Sequence, residues 1–210
     1  MATAIMALHI LIAYLIGSIP FGLLIGKLNG KDIRKEGSCN IGATNVTRVV
    51  GKWWGKLCFL CDFLKGFLPV FWVMHACPGD GVTIALTALA VVLGHVFPIY
   101  LGFKGGKGVS TAAGAALALS PLSVVIAGAV WVLVFLTSRY VSLASLAAAL
   151  ALPVSAWLLH FFAGFELPLP VGLLLILLAV LTFWRHRSNI GRLLNGTESR
   201  FERKKEDAPQ

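Results

Sequence analysis

VSTAAGAALALSPLSVVIAGAVWVLVFL, the stretch from Val109 to Leu136, decides how many times this chain crosses a bilayer. It is apolar almost throughout but carries Ser120-Pro121 near its middle. Proline has no N–H to continue a helix interior, and its ring pushes the preceding residue out of the helical region. The stretch therefore predicts two short helices. The first, about 11 residues, rises only about 16 Å, so tilt, local thinning or cover by neighbours must carry it through the hydrocarbon layer.

Outward from this stretch lie five more apolar segments: Met1 to Gly26, Leu57 to Met74, Val82 to Phe103, Val141 to Phe162 and Leu167 to Trp184. Several reach the roughly 20 residues needed to span a bilayer as a helix. The chain has 210 residues, 58% of them hydrophobic and only 13% charged, with a mean hydropathy of +0.84. A soluble domain carries about twice that charge, so the composition identifies an all-α integral membrane protein. Met1 to Gly26 lacks a charged start and a small-x-small cleavage site, and reads as a retained helix. The four cysteines have no zinc spacing; Cys58-x-x-Cys61 in an apolar helix reads as packing, because cysteine behaves there as a small hydrophobe.

Charge sets the expected topology. Of the 18 basic residues, all but Lys65 fall outside the apolar segments, chiefly from Lys27 to Lys56, at Lys104 and Lys107, and from Arg185 onward. The breaks at Ala76 to Gly81 and Gly164 to Pro168 carry only Asp80 and Glu166. Basic loops mark the cytoplasmic side. With Val109 to Leu136 crossing twice, seven helices place all the basic clusters inside, the N-terminus outside and the C-terminus in the cytoplasm. Residues 1–197 then form one membrane domain and 198–210 a charged cytoplasmic tail. Asp62 and Lys65, three apart, share a helix face; they are either a mutually neutralising pair or a wall of a polar site.

Three polar clusters stand at the ends of these segments. Gly37 to Arg48 reads GSCNIGATNVTR: small residues for tight curvature, short neutral donors in Ser38, Asn40, Thr44 and Asn45, and a forked cation in Arg48. Gly94 to Thr111 contains GHVFP and then FKGGKGVST. Its glycines and the helix start at Val109 suit an anion, with Lys107 adding a full charge. It is no Walker A loop, because Gly108 follows Lys107 where serine or threonine is required. Arg185 to Leu193 reads RHRSNIGRL and sets His186 and Asn189 three apart beside Arg185, Arg187 and Arg192. A cationic, donor-rich site of this kind suits a phosphate-bearing substrate. A transporter would show polar residues at mid-membrane and internal repeats, and neither is evident. A lipid-binding scaffold would not need His186 and Asn189.

Together the clusters resemble the bacterial acyl-phosphate:glycerol-3-phosphate acyltransferases, the PlsY family. That family's motifs read G-S-x-N-x-G-A-T-N-x-x-R, then G-H-x-x-P with F-K-G-G-K-G-V-x-T, then R-H-x-x-N-I-x-R-L, matched here in order over nearly the whole chain. Cys39 departs from the pattern, where the family often has glycine; it removes no donor. The resemblance implies acyl transfer from acyl phosphate to the sn-1 hydroxyl of glycerol 3-phosphate, the first acylation of phospholipid synthesis, at the inner membrane of a bacterium. It implies Ser38, Lys107, His186 and Asn189 as catalytic residues. Asn40, Thr44, Asn45, Arg48 and the Gly105, Gly106 and Gly108 backbone would bind substrate. It implies no cofactor, metal or nucleic acid, a membrane-lipid surrounding, and transient contact with the soluble enzyme that makes acyl phosphate. A monomer is expected, since one chain holds all three clusters. His75 to Asp80 matches the H-x-x-x-x-D spacing of acyl-CoA-dependent glycerolipid acyltransferases, but it falls on the acidic side, across from every cationic cluster.

Overall fold

The computed structural model describes residues 2–201, and every regular element among them is helical. In chain order these are α1 Ala2–Gly17, α2 Phe21–Leu28, α3 Ala43–Val49, α4 Lys52–Ala76, α5 Gly81–Val96, α6 Val109–Leu119, α7 Pro121–Ser138, α8 Val141–Ala163, α9 Leu169–Arg185 and α10 Arg187–Leu194, with a 3-10 turn at Ile99–Leu101. Five runs are long and apolar enough to cross a membrane: Thr3–Leu28, α4, Gly81–Leu101, α7 and α8. The bent pair α9 and α10 makes a sixth if taken as one span.

The expected break after Leu119 is present. Ser120 leaves the helical region, with φ of −150° and ψ of 76°, and Pro121 opens α7 at its first position, where a missing N–H costs nothing. The eleven-residue α6 is too short to span alone and is covered by α4. A Cβ added at Gly66 would lie 2.1 Å from the Thr111 carbonyl oxygen, and one at Gly114 would lie 2.0 Å from that of Phe63. The two backbones touch, as small residues permit between membrane helices.

One break falls inside an expected segment, and a bend follows just past the end of another. Met1 to Gly26 is not one helix: α1 stops at Gly17 and α2 starts at Phe21, after Pro20. The carbonyl of Ile19 inside that break accepts a hydrogen bond from Lys65 Nζ at 2.7 Å. The last apolar run also turns, by 58° between α9 and α10, with His186 at the corner.

The core lies where α1, α4, α5, α6 and α9 meet, around Ala13, Val70, Val73, Val91 and Leu174. A second apolar cluster joins α6, α7, α8 and α9 through Ala116, Ala127, Leu152 and Leu175. A third, with Leu23, Ile33, Val46 and Cys58, underlies the first polar loop. Large apolar side chains such as Leu11, Trp72, Leu133, Phe162 and Leu173 face outward, the pattern of a lipid-facing surface. Asp80 accepts a hydrogen bond from Thr83 N–H and so caps α5. His75 stands 13 residues beyond Asp62 on α4, about 20 Å along the helix.

Candidate active site

The three polar clusters close on one cavity of about 470 Å³. Its wall is built from the first loop and α3, the start of α6, the start of α8, the α9–α10 corner and the residues after α10.

The first loop is folded by Asn45, which is 1% exposed. Its Nδ2 donates to the carbonyls of Ile33 (2.9 Å) and Glu36 (3.1 Å), and its Oδ1 accepts the Ser38 N–H at 2.8 Å. Asn45 thus spends its amide on shaping the loop, which turns Ser38 toward the cavity. Asn40 Oδ1 accepts the Gly42 N–H at 2.9 Å, just before α3 begins. Thr44 and Arg48 line the cavity from α3, with the Arg48 guanidinium 5.2 Å from the centre of the Phe201 ring. Cys39 holds φ of +55°, in the left-handed region that favours glycine.

In the second cluster the two middle glycines are turned away from the cavity. Gly105 and Gly106 do not line the cavity, and their N–H groups are already committed, to Val96 O (3.2 Å) and His95 O (3.1 Å). A Cβ on Gly106 would lie 2.2 Å from His95 Nε2. These two glycines let the loop fold flat onto the end of α5. N–H groups free to meet an anion lie slightly further on. Gly108, at φ of +84°, turns the chain into α6, whose first turn carries the unpaired N–H groups of any helix start. Gly108, Val109 and Ser110 do line the cavity.

Lys107 and the third cluster meet directly. Lys107 Nζ donates to Asn189 Oδ1 at 2.5 Å. His186, 2% exposed, sets Nδ1 2.8 Å from the carbonyl of Thr182. A carbonyl only accepts, so Nδ1 carries the ring proton and Nε2 is left as the acceptor. Asn189 Nδ2 donates to Glu198 Oε1 at 2.7 Å, and Arg192 Nε pairs with Glu198 Oε2 at 2.7 Å. Ser142 Oγ, from α8, donates to the same Oε1 at 2.7 Å.

Glu198, which the sequence reading left in a charged tail, also lines the cavity. Burial works against its carboxylate, but the hydrogen bonds from Asn189, Ser142 and Arg192 outweigh that and hold its pKa below the usual value. Burial pushes Lys107 down to about 8; Glu198 opposes the shift, while Arg192, Arg48 and Arg185 add to it. Asp62 fulfils both expectations held for it. It pairs with Lys65 at 2.7 Å, both side chains nearly inaccessible, and it also lines the cavity next to His95. Among the described residues, no group of three or more His, Cys, Asp or Glu side chains is arranged to hold a metal.

One cavity therefore offers three cations, a helix start and a histidine with a free acceptor nitrogen, beside apolar helices. Comparison with known proteins gives this arrangement a family. A family model described as glycerol-3-phosphate acyltransferase matches residues 7–196. The chain belongs to the glycerol-3-phosphate acyltransferase family. It is 48% identical to the glycerol-3-phosphate acyltransferase of Aquifex aeolicus (strain VF5) over 192 residues, 91% of this chain and 97% of the relative. It is 49% identical to that of Trichlorobacter lovleyi over 193 residues, covering 90% and 94%. The crystal structure of PlsY, an integral membrane glycerol 3-phosphate acyltransferase, in its glycerol 3-phosphate form superposes with a TM-score of 0.87 at 46% identity, over 94% of this chain and 96% of that one. The lysophosphatidic acid form gives 0.84 at 47% identity, over 94% and 95%. This acyltransferase is thus a multi-pass membrane enzyme of phospholipid synthesis that acylates glycerol 3-phosphate to lysophosphatidic acid.

Proposed function

We propose that the acyl donor is an acyl phosphate and that transfer is direct, with no covalent enzyme intermediate. The observation that carries this is the junction of Lys107, Asn189 and His186 on a cavity also lined by Ser38 and Arg48. Two phosphate groups must lie close together for the reaction, and the cavity brings Arg48, Lys107 and Arg192 together on its wall. An acyl phosphate is a mixed anhydride and needs no further activation. The glycerol 3-phosphate sn-1 hydroxyl oxygen attacks the acyl carbonyl carbon, the bond from that carbon to the phosphate oxygen breaks, and inorganic phosphate leaves. The hydroxyl proton passes to His186 Nε2, whose partner nitrogen is fixed on Thr182. Lys107 and the α6 N–H groups hold the donor's phosphate, Arg48 holds the acceptor's, and Ser38, Asn40 and Thr44 supply hydrogen bonds to oxygen atoms. Positioned charge of this kind contributes several kcal/mol to a transition state. The acyl chain runs between helices past Phe59 and Trp131, which line the cavity, toward lipid.

The same reading takes the short α6 as a crossing, giving seven, with the N-terminus outside and the site on the cytoplasmic face of a bacterial inner membrane. The basic residues on the loops that bear the site support that side. A monomer suffices because one chain supplies every wall, and the soluble enzyme that makes acyl phosphate is expected to dock only transiently.

The test is purified enzyme with glycerol 3-phosphate and, in separate reactions, acyl phosphate, acyl-CoA or acylated carrier protein, read as lysophosphatidic acid. Product is expected with acyl phosphate alone. Product of equal yield from acyl-CoA would defeat the proposed donor. For topology, single cysteines at Gly79 and Lys104 in a cysteine-free background should react with an impermeant thiol reagent from opposite sides.

A further inference from the structure

Lys107 sits in a run of glycines, and glycine supplies no side chain to hold a loop. Its placement is imposed by neighbours. The Gly105 and Gly106 N–H groups are bonded to the end of α5, and their carbonyls are bonded to Arg185. Arg185 Nη2 donates to Gly105 O at 3.1 Å and to Gly106 O at 3.0 Å. The guanidinium lies 5.8 Å from the Phe97 ring centre and 5.6 Å from that of Trp184, so an aromatic pair confines it. Its Nε is buried without a partner. This cation is therefore turned onto backbone carbonyls and, among the described residues, pairs with no carboxylate. Arg185 also directly precedes His186, and Asn189, one turn later, receives Lys107. The loop and the α9–α10 corner are thus tied twice, through Arg185 to the carbonyls and through Asn189 to the ammonium.

We propose that Arg185 is a positioning residue for acyl transfer: by clamping the Gly105 and Gly106 carbonyls to the end of α9, it holds Lys107 in register with Asn189 and His186. Arg185 acts through Lys107, so the inference rests on the phosphate-holding role proposed above for that lysine. Charged and titratable groups facing Lys107 are Arg48 from α3, Arg185 and His186 from the α9 end, and Arg192 and Glu198 from α10 and beyond. Losing Arg185 removes one positive neighbour and loosens the enclosure, and both effects raise the pH at which Lys107 gives up its proton.

The test compares wild type, Arg185→Gln and Arg185→Lys as purified full-length enzyme, with acyl phosphate and varied glycerol 3-phosphate between about pH 6 and 10. Folding is checked by thermal melting. Arg185→Gln is expected to lose roughly ten-fold or more in kcat/KM, with the basic limb of its pH profile moved upward. Arg185→Lys keeps the charge but not the planar fork, and should fall between the two with at least a roughly three-fold loss. A folded Arg185→Gln with wild-type kcat/KM and an unmoved basic limb overturns the proposal. If Arg185→Gln does not fold, a folded Arg185→Lys that matches wild type overturns it, and failure of both to fold does the same by making the residue purely structural. Lys107→Arg is run alongside. A basic limb that survives in that variant defeats the assignment of the limb to Lys107, and the clamp is then decided on kcat/KM alone.

Discussion

The contact between α4 and α6 is close enough that one methyl group should disable the enzyme. In Gly66→Ala the new Cβ would stand 2.1 Å from the Thr111 carbonyl oxygen. An ordinary carbon–oxygen contact is roughly 3.3 Å, so the helices must part by about 1 Å. Neither atom can swing aside, since one is fixed to its own backbone and the other is a backbone carbonyl inside a helix turn. Thr111 is four residues from Lys107, and displacement of the first turn of α6 carries the lysine with it. The Lys107–Asn189 distance of 2.5 Å would open to about 3.5 Å, beyond a hydrogen bond. A misplacement near 1 Å costs on the order of 100-fold in rate, and overpacking adds roughly 1–3 kcal/mol of destabilisation. The assay is lysophosphatidic acid formation by purified enzyme, with melting temperature measured on the same sample. Gly128→Ala on α7, where nothing lies within 4 Å, is the control and should be close to wild type. A folded Gly66→Ala with wild-type kcat/KM would show that this backbone contact does not place Lys107.

Three further outcomes are expected. Cys39→Gly should raise stability by roughly 1 kcal/mol, because a left-handed φ costs a side-chain-bearing residue about 1–2 kcal/mol and the looser unfolded glycine offsets part of that; a melting temperature that falls would contradict it. Activity should decline as pH rises through about 8, where Lys107 passes from ammonium to amine, and Lys107→Arg should abolish that decline while keeping some activity. His186→Asn should reduce kcat roughly 100-fold or more, within the usual range for loss of a general base, and a near-normal rate would exclude the histidine as base.

Much of this molecule was legible from local chemistry. Pro121 announced the break after Leu119 because a missing N–H acts wherever it stands. Pro20 carried the same signal, but the break it makes in Met1 to Gly26 was passed over within an unbroken apolar run. The α9–α10 bend has no such marker: no proline or glycine stands at His186, and the corner exists because His186 and Asn189 are both buried against other helices. Serine, lysine, histidine and asparagine in three clusters pointed to one site because a membrane protein leaves few other places for them. The fate of individual hydrogen-bonding groups was not legible. Whether the Gly105 and Gly106 N–H groups face an anion or a carbonyl depends on the loop folding onto the end of α5. Asn45 lines the cavity and is also the peg of its loop, and the second part was not legible. Glu198 looked like the start of a solvated charge run, whose composition is the same whether it lies free or is strapped across a site.

The strap at Glu198 sets an order on biosynthesis. Its carboxylate joins Ser142, Asn189 and Arg192, yet the ribosome reaches it only after every one of the helices described above has been translated. A nascent chain can insert its hydrophobic segments and pack Val91 against Ala13 long before it can close this wall of the cavity. Premature termination just upstream of residue 198 would therefore leave an inserted, helical and catalytically silent protein, detectable by antibody but not by product.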